Sequence, residues 1–121
     1  MSCSETNLGN AVVIKASGRI DLTTAESFKD SILAALAAAK TSLIIDLSGV
    51  EYISSAGLRS LMTGFKASKG QNKTFAVAAL QPLVLEIFTI SRFNLVFPVF
   101  ETLRKAVESL DPDALPAFDA S

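Results

Sequence analysis

The sequence predicts an α/β domain: one mixed sheet of four to five strands with about four packed helices, in the order β-β-α-β-α-β-α-β-α. Three observations carry this expectation. Short β-branched runs alternate with longer stretches whose apolar residues recur at helical spacing, the pattern of parallel strands joined through helices. Ahead of that alternation stand two strand-like runs separated only by Gly9-Asn10, a two-residue hairpin turn. Half of the 121 residues are hydrophobic, enough for one real core, while the length is too short for two domains.

The elements follow in order. The hairpin joins a short polar strand to "AVVIKA", and the first helix begins at "DLTTAESF". Thr23 and Glu26 have capping-box spacing, each able to satisfy an orphaned backbone N–H. Phe28, Ile32, Leu36 and Ala39 then recur on one helical face. "LIIDL" (43–47) reads as a strand buried on both sides. "AGLRSLMTGFKASK" places Leu58, Leu61, Met62 and Phe65 on one side, with Arg59, Thr63, Lys66 and Lys69 elsewhere. That is an amphipathic helix of about four turns at ~3.6 residues each.

"TFAVAAL" supplies the next strand, and Pro82 suits the first turn of the helix after it. Leu83, Val84, Leu85, Ile87, Phe88 and Ile90 make that third helix apolar nearly all round. Most of it belongs in the core, with one side left for association, a homodimer being one use. "VFPVF" (96–100) reads as a strand at a sheet edge, since Pro98 cannot donate to a ladder. A last helix presents Leu103, Val107 and Leu110. The domain is expected over residues 1–110, and "DPDALPAFDAS" (111–121), which lacks periodicity, as a flexible C-terminal tail. Gly49 and Gly57 read as turn and junction residues, in neither a P-loop nor a dinucleotide fingerprint.

Composition removes several function classes. The chain contains no histidine, so nucleophile systems that need an imidazole base are out. A single cysteine, Cys3, is a poor start for a metal site and fits a reducing compartment. No catalytic, metal-binding or cofactor-binding residue is therefore assigned, and an enzyme is not expected. A net charge of −1 gives no field to draw nucleic acid, so no direct nucleic-acid contact is expected. Arg59, Lys66, Lys69 and Lys73 are the local exception, read first as a solvated face and second as a contact for an acidic partner. Mean hydropathy is high at +0.42. The most apolar stretch, "FAVAALQPLVLEIFTI", is broken by Gln81, Pro82 and Glu86, so no membrane span is expected. The opening "MSCSETNLGN" has neither a basic nor an apolar leader region, and a cytoplasmic location is expected.

The stretch "DLSGVEYISSAGL" (46–58) joins a buried strand to the second helix and packs two serines and a glycine against it. With "SGRIDLTTA" upstream and "FPVF" downstream, the chain resembles the STAS domain family, and within it the bacterial anti-sigma factor antagonists. The resemblance covers roughly residues 5 to 110 and implies a STAS-like sheet. It also implies that Ser55, two places before Gly57, is a phosphoacceptor for a partner kinase. Ser54 is the second candidate; it stands where the family frequently has aspartate, and Ala56 where it frequently has serine or threonine. Asp46 matches the acid of "DLS", and Asp21 an acid that the resemblance implies lies close to the acceptor. Asp21, Thr23, Ser54, Ser55, Ala56, Gly57, Leu58 and Arg59 form the expected partner-binding set.

The implied function is an anti-sigma factor antagonist: a partner-switching phosphoprotein of transcription regulation. It would bind an anti-sigma factor serine kinase when unphosphorylated, release it when Ser55 is phosphorylated, and be restored by a PP2C-type phosphatase. The alternative is a STAS subunit of a transport or stressosome-like assembly in which the serine is structural. The residues alone offer a plainer role for Ser55, that of an N-cap. A phosphate at a helix start gains about 0.3–1 kcal/mol from the dipole, so modification there need not unfold the domain.

Overall fold

The computed structural model describes residues 1–120. Its elements are β1 (Ser2–Leu8), β2 (Ala11–Ile20), α1 (Ala25–Ala38), β3 (Ser42–Ile53), α2 (Ser55–Gly70), β4 (Thr74–Ala78), α3 (Pro82–Ile90), β5 (Val99–Phe100), α4 (Leu103–Leu110) and α5 (Leu115–Ala120). Short 3-10 turns precede β5 (Phe93–Leu95) and α5 (Pro112–Ala114). The five strands lie side by side in chain order. β1 and β2 are antiparallel, and β2 through β5 pair in parallel. The hairpin turn falls at Gly9-Asn10, with Gly9 at φ 63°, where a side chain would be strained.

Successive strand residues point to opposite faces, and here both faces are covered. Val12, Ile14, Leu43, Ile45 and Val77 join Phe28, Ile32, Leu61, Val84 and Phe88 in the larger core, under α1, α2 and α3. Val13, Ile44 and Ala78, the residues between them, meet Ala106 and Val107 of α4 and Ala114 in a smaller core. Two-sided burial is why β3 and β4 read as continuous apolar runs rather than alternating ones, whereas β1 at the edge is polar and largely exposed. Each large apolar side chain fully buried in this way contributes about 1.5–3 kcal/mol. No helix among the described residues is long and apolar enough to cross a membrane.

The structure departs from the sequence-based expectations in four places. Only Val99 and Phe100 of "VFPVF" form a strand, at the edge beside Val77 and Ala78. Phe97 instead turns inward, with its ring 5.3 to 6.1 Å from those of Phe65, Phe75, Phe88 and Phe93. Burial of an aromatic outweighs extension of a two-residue edge.

Gly49 is not a turn residue: β3 continues through it to Ile53. A Cβ there would lie 2.8 Å from the Cβ of Ser17, where the β2–β3 register shifts, so the glycine permits a close approach of strands.

The segment from 111 onward, expected as a flexible tail, is a 3-10 turn and a short helix. Asp111 and Ala114 are buried, and Leu115 and Phe118 pack on the smaller core. The Asp111 carboxylate accepts the Asn10 N–H at 3.1 Å, which fastens the segment to the hairpin turn. Ser121 lies outside the described residues. The fourth departure concerns the residues at the helix starts, Gly57 and Leu58 included, and belongs with the site.

Candidate functional site

β2 and β3 are parallel neighbours that end side by side, with Ile20 beside Ile53. The Ser54 N–H donates to the Ile20 carbonyl at 2.8 Å. Two strand-to-helix junctions, 21–24 and 54–57, therefore leave the same end of the sheet together. The carboxyl end of a parallel sheet is where such folds commonly place their binding residues.

At the first junction the polar groups satisfy one another. The Asp21 carboxylate accepts the Thr23 N–H at 3.0 Å and the Thr23 hydroxyl at 2.7 Å. Thr24 Oγ1 accepts the Asp21 N–H at 2.9 Å and donates to the Arg19 carbonyl at 3.1 Å. The Thr23 hydroxyl is the main reason that the Asp21 carboxyl titrates below the usual aspartate range. The expected Thr23–Glu26 capping box does not form. Thr24 is the N-cap, without a side-chain cap bond, and the Glu26 carboxylate meets Lys29 Nζ at 2.8 Å. Thr23 had already given its hydroxyl to Asp21.

The second junction is built differently. The extended backbone of β3 runs on into Ser54, which has φ −87° and ψ 173°. Ser54 Oγ accepts the Gly57 N–H at 3.2 Å, so Ser54 is the N-cap of α2. Ser55, for which the residues alone suggested that role, is the first helical residue instead. It is exposed, and among the described residues its hydroxyl has no partner. Ala56 is half-buried and Arg59 exposed.

Gly57 and Leu58 were expected to face a partner, and the structure turns both inward. Leu58 is 7% exposed and belongs to the larger core. A Cβ on Gly57 would come within 2.6 Å of Ile53 and 2.7 Å of Ile20, so the helix can sit this close to both strands only with glycine there. These two residues shape the site from below. Asp46 lies outside it altogether. It is buried in the next strand position but one after Ile44 of the smaller core, and its carboxylate accepts the Ser48 N–H at 2.9 Å.

Between α1 and α2, reaching Ala56 next in the chain to Ser55, runs an open groove of about 240 Å³ lined by Leu22, Ala25, Glu26, Lys29, Ala56, Arg59, Ser60 and Thr63. Leu22 stands at its rim, 79% exposed. The sequence reading passed over Leu22, Thr24 and Lys29. For Leu22 a signal was available, as an apolar residue inside an otherwise polar turn. The site thus offers a free serine hydroxyl, an apolar knob and a shallow groove.

Residues 3–99 match the family described as Mlab, STAS domain. RsfB of Mycobacterium tuberculosis, named an anti-sigma-F factor antagonist, is 32% identical over 95 residues, 78% of this chain and 77% of that protein. BtrV of Bordetella bronchiseptica is 31% identical over 99 residues, 82% of this chain and 84% of that protein. The crystal structure of an anti-sigma factor antagonist from Mycobacterium paratuberculosis superimposes with a TM-score of 0.83 at 28% identity, covering 90% of this chain and 92% of that one.

Proposed function

The chain belongs to the STAS domain family, and on that footing we propose that it is a phosphorylation-controlled anti-sigma factor antagonist. Unphosphorylated, it binds an anti-sigma factor serine kinase in the cytoplasm; phosphorylated at Ser55, it lets go; a PP2C-type phosphatase restores it. The names of the similar proteins support the role. The observation that carries the switch is the division of labour at the start of α2, where Ser54 caps the helix and leaves Ser55 exposed and unengaged. Modifying Ser55 costs the helix none of its capping.

Asp21, Thr23, Ser54, Ala56, Arg59 and Leu22 form the surface assigned to the partner. A phosphate adds a charge of about −1.5 to −2 to that surface. Desolvating such a group in an unpaired contact costs several kcal/mol, and every ~1.4 kcal/mol is tenfold in affinity. Release then needs no rearrangement of the fold.

Intact-mass analysis after incubation with the kinase and ATP is expected to find one phosphate, absent in Ser55→Ala and retained in Ser54→Ala. Affinity for the kinase should fall by roughly two orders of magnitude on phosphorylation. Amide shifts should change only near 21–24 and 46–62. Labelling at Ser54, or unchanged affinity, would sink the proposal. A second reading, a subunit of a transport or stressosome-like assembly, draws on the exposed apolar residues Leu83, Leu85 and Ile90 of α3. It predicts no phosphate uptake in the same experiment.

A further inference from the structure

We infer that Arg59 is the counter-ion of phosphorylated Ser55, closing an ion pair along the first turns of α2. The inference rests on the reading of Ser55 as a phosphoacceptor and names the residue that receives the phosphate.

Ser55 and Arg59 are both exposed and stand four apart in one helix. At that spacing the Cβ atoms are about 5–6 Å apart. Helical side chains lean toward the N-terminus, which puts Ser55 within reach of the Arg59 side chain. Anion first and cation four residues later is the favourable order for such a pair. A planar guanidinium also matches two phosphate oxygens at once, which an ammonium cannot do.

Availability singles Arg59 out. Its neighbours at this end of the sheet are already engaged. The Arg19 guanidinium lies 4.7 Å from the centre of the Tyr52 ring, and Lys29 is held by Glu26. Further along α2, Lys69 Nζ lies 4.9 Å from the centre of the Phe65 ring. Among the described residues Arg59 has no carboxylate, ring or carbonyl on its guanidinium; the one acid lining its groove, Glu26, is paired with Lys29. The pair gives phosphorylation a double effect. It adds a dianion to the partner surface and withdraws from it Arg59, among the described residues the one cation of the groove that no carboxylate neutralises.

The test uses protein with phosphoserine installed at position 55 during synthesis, so that no kinase is needed. Phosphorus NMR follows the second ionisation of the phosphate, ordinarily near pH ~6. A neighbouring cation favours the dianion and lowers that midpoint. The midpoint should lie about half a unit lower in the wild-type phosphoprotein than in Arg59→Gln, with Arg59→Lys between them. Lys66→Gln, an exposed charge further along α2, should match the wild type. Equal midpoints in wild type and Arg59→Gln would overturn the pair. So would an equal shift from Lys66→Gln, which would mark a general field. Neither result touches phosphorylation of Ser55 by a kinase. Conversely, a Ser55 that no kinase modifies would defeat the proposed function and leave the measured pair standing.

Discussion

At the junction of β2 and α1, Asp21, Thr23 and Thr24 consume one another's hydrogen-bonding capacity. At the adjoining junction of β3 and α2, a single bond from Gly57 N–H to Ser54 closes the cap, and the next hydroxyl is left over. Both segments leave the same sheet end, and both contain paired hydroxyl residues, Thr23-Thr24 and Ser54-Ser55. One pair is spent on structure. In the other, structure needs only the first member. The comparison teaches that a modifiable residue is recognised less by its type than by what its neighbour has already done.

The largest expected effect breaks the contact between the junctions. In Gly57→Ala the new methyl meets Ile53 and Ile20, one from each strand. Overpacking of this kind should cost about 2 kcal/mol, read by denaturant unfolding. A loss under about 0.5 kcal/mol would mean that the helix start is not seated on both strands.

A smaller effect separates the two serines. Ser54→Ala removes the cap and should cost about 1 kcal/mol, whereas Ser55→Ala should stay within about 0.5 kcal/mol. The reverse order would make Ser55 the cap and erase the contrast between the junctions.

The smallest effect sharpens the first junction. Because its pKa is lowered on folding, the Asp21 carboxylate contributes stability that is present above the ordinary aspartate pKa, near ~3.9. That contribution disappears as the pH falls through the lowered folded-state value. Carboxyl NMR titration should place Asp21 below an ordinary aspartate, and Thr23→Val should raise it. An unmoved midpoint in Thr23→Val would mean that the turn is not closed by that hydroxyl.

Much of this architecture was legible because it depends on periodicity. The strands, the hairpin at Gly9-Asn10 and the amphipathic α2 are written in spacings of two and of about 3.6 residues. The stretch around Ser55 was legible as a junction for the same reason. Which serine caps the helix was not, since Ser54 and Ser55 are chemically identical and differ only in where β3 stops. The capping box failed likewise: its spacing was right, but Thr23 had a nearer acceptor in Asp21. Leu58 was assigned to the partner surface from its motif, although its place in the apolar stripe of α2 already pointed to the core. The roles of Gly49 and Phe97 depend on residues far away in sequence, and local pattern carries no information about those.

The bond from Asn10 N–H to Asp111 spans 101 residues. On a growing chain, the first hairpin therefore emerges long before the acid that completes its turn. Until then the Asn10 N–H is left to water, and β1 and β2 hold together through their own ladder and whatever helices have arrived. The hairpin turn acquires its final hydrogen bond only once the segment around Asp111 has docked on it. Exchange of that one amide thus reports on docking of the segment around Asp111 rather than on the hairpin that contains it.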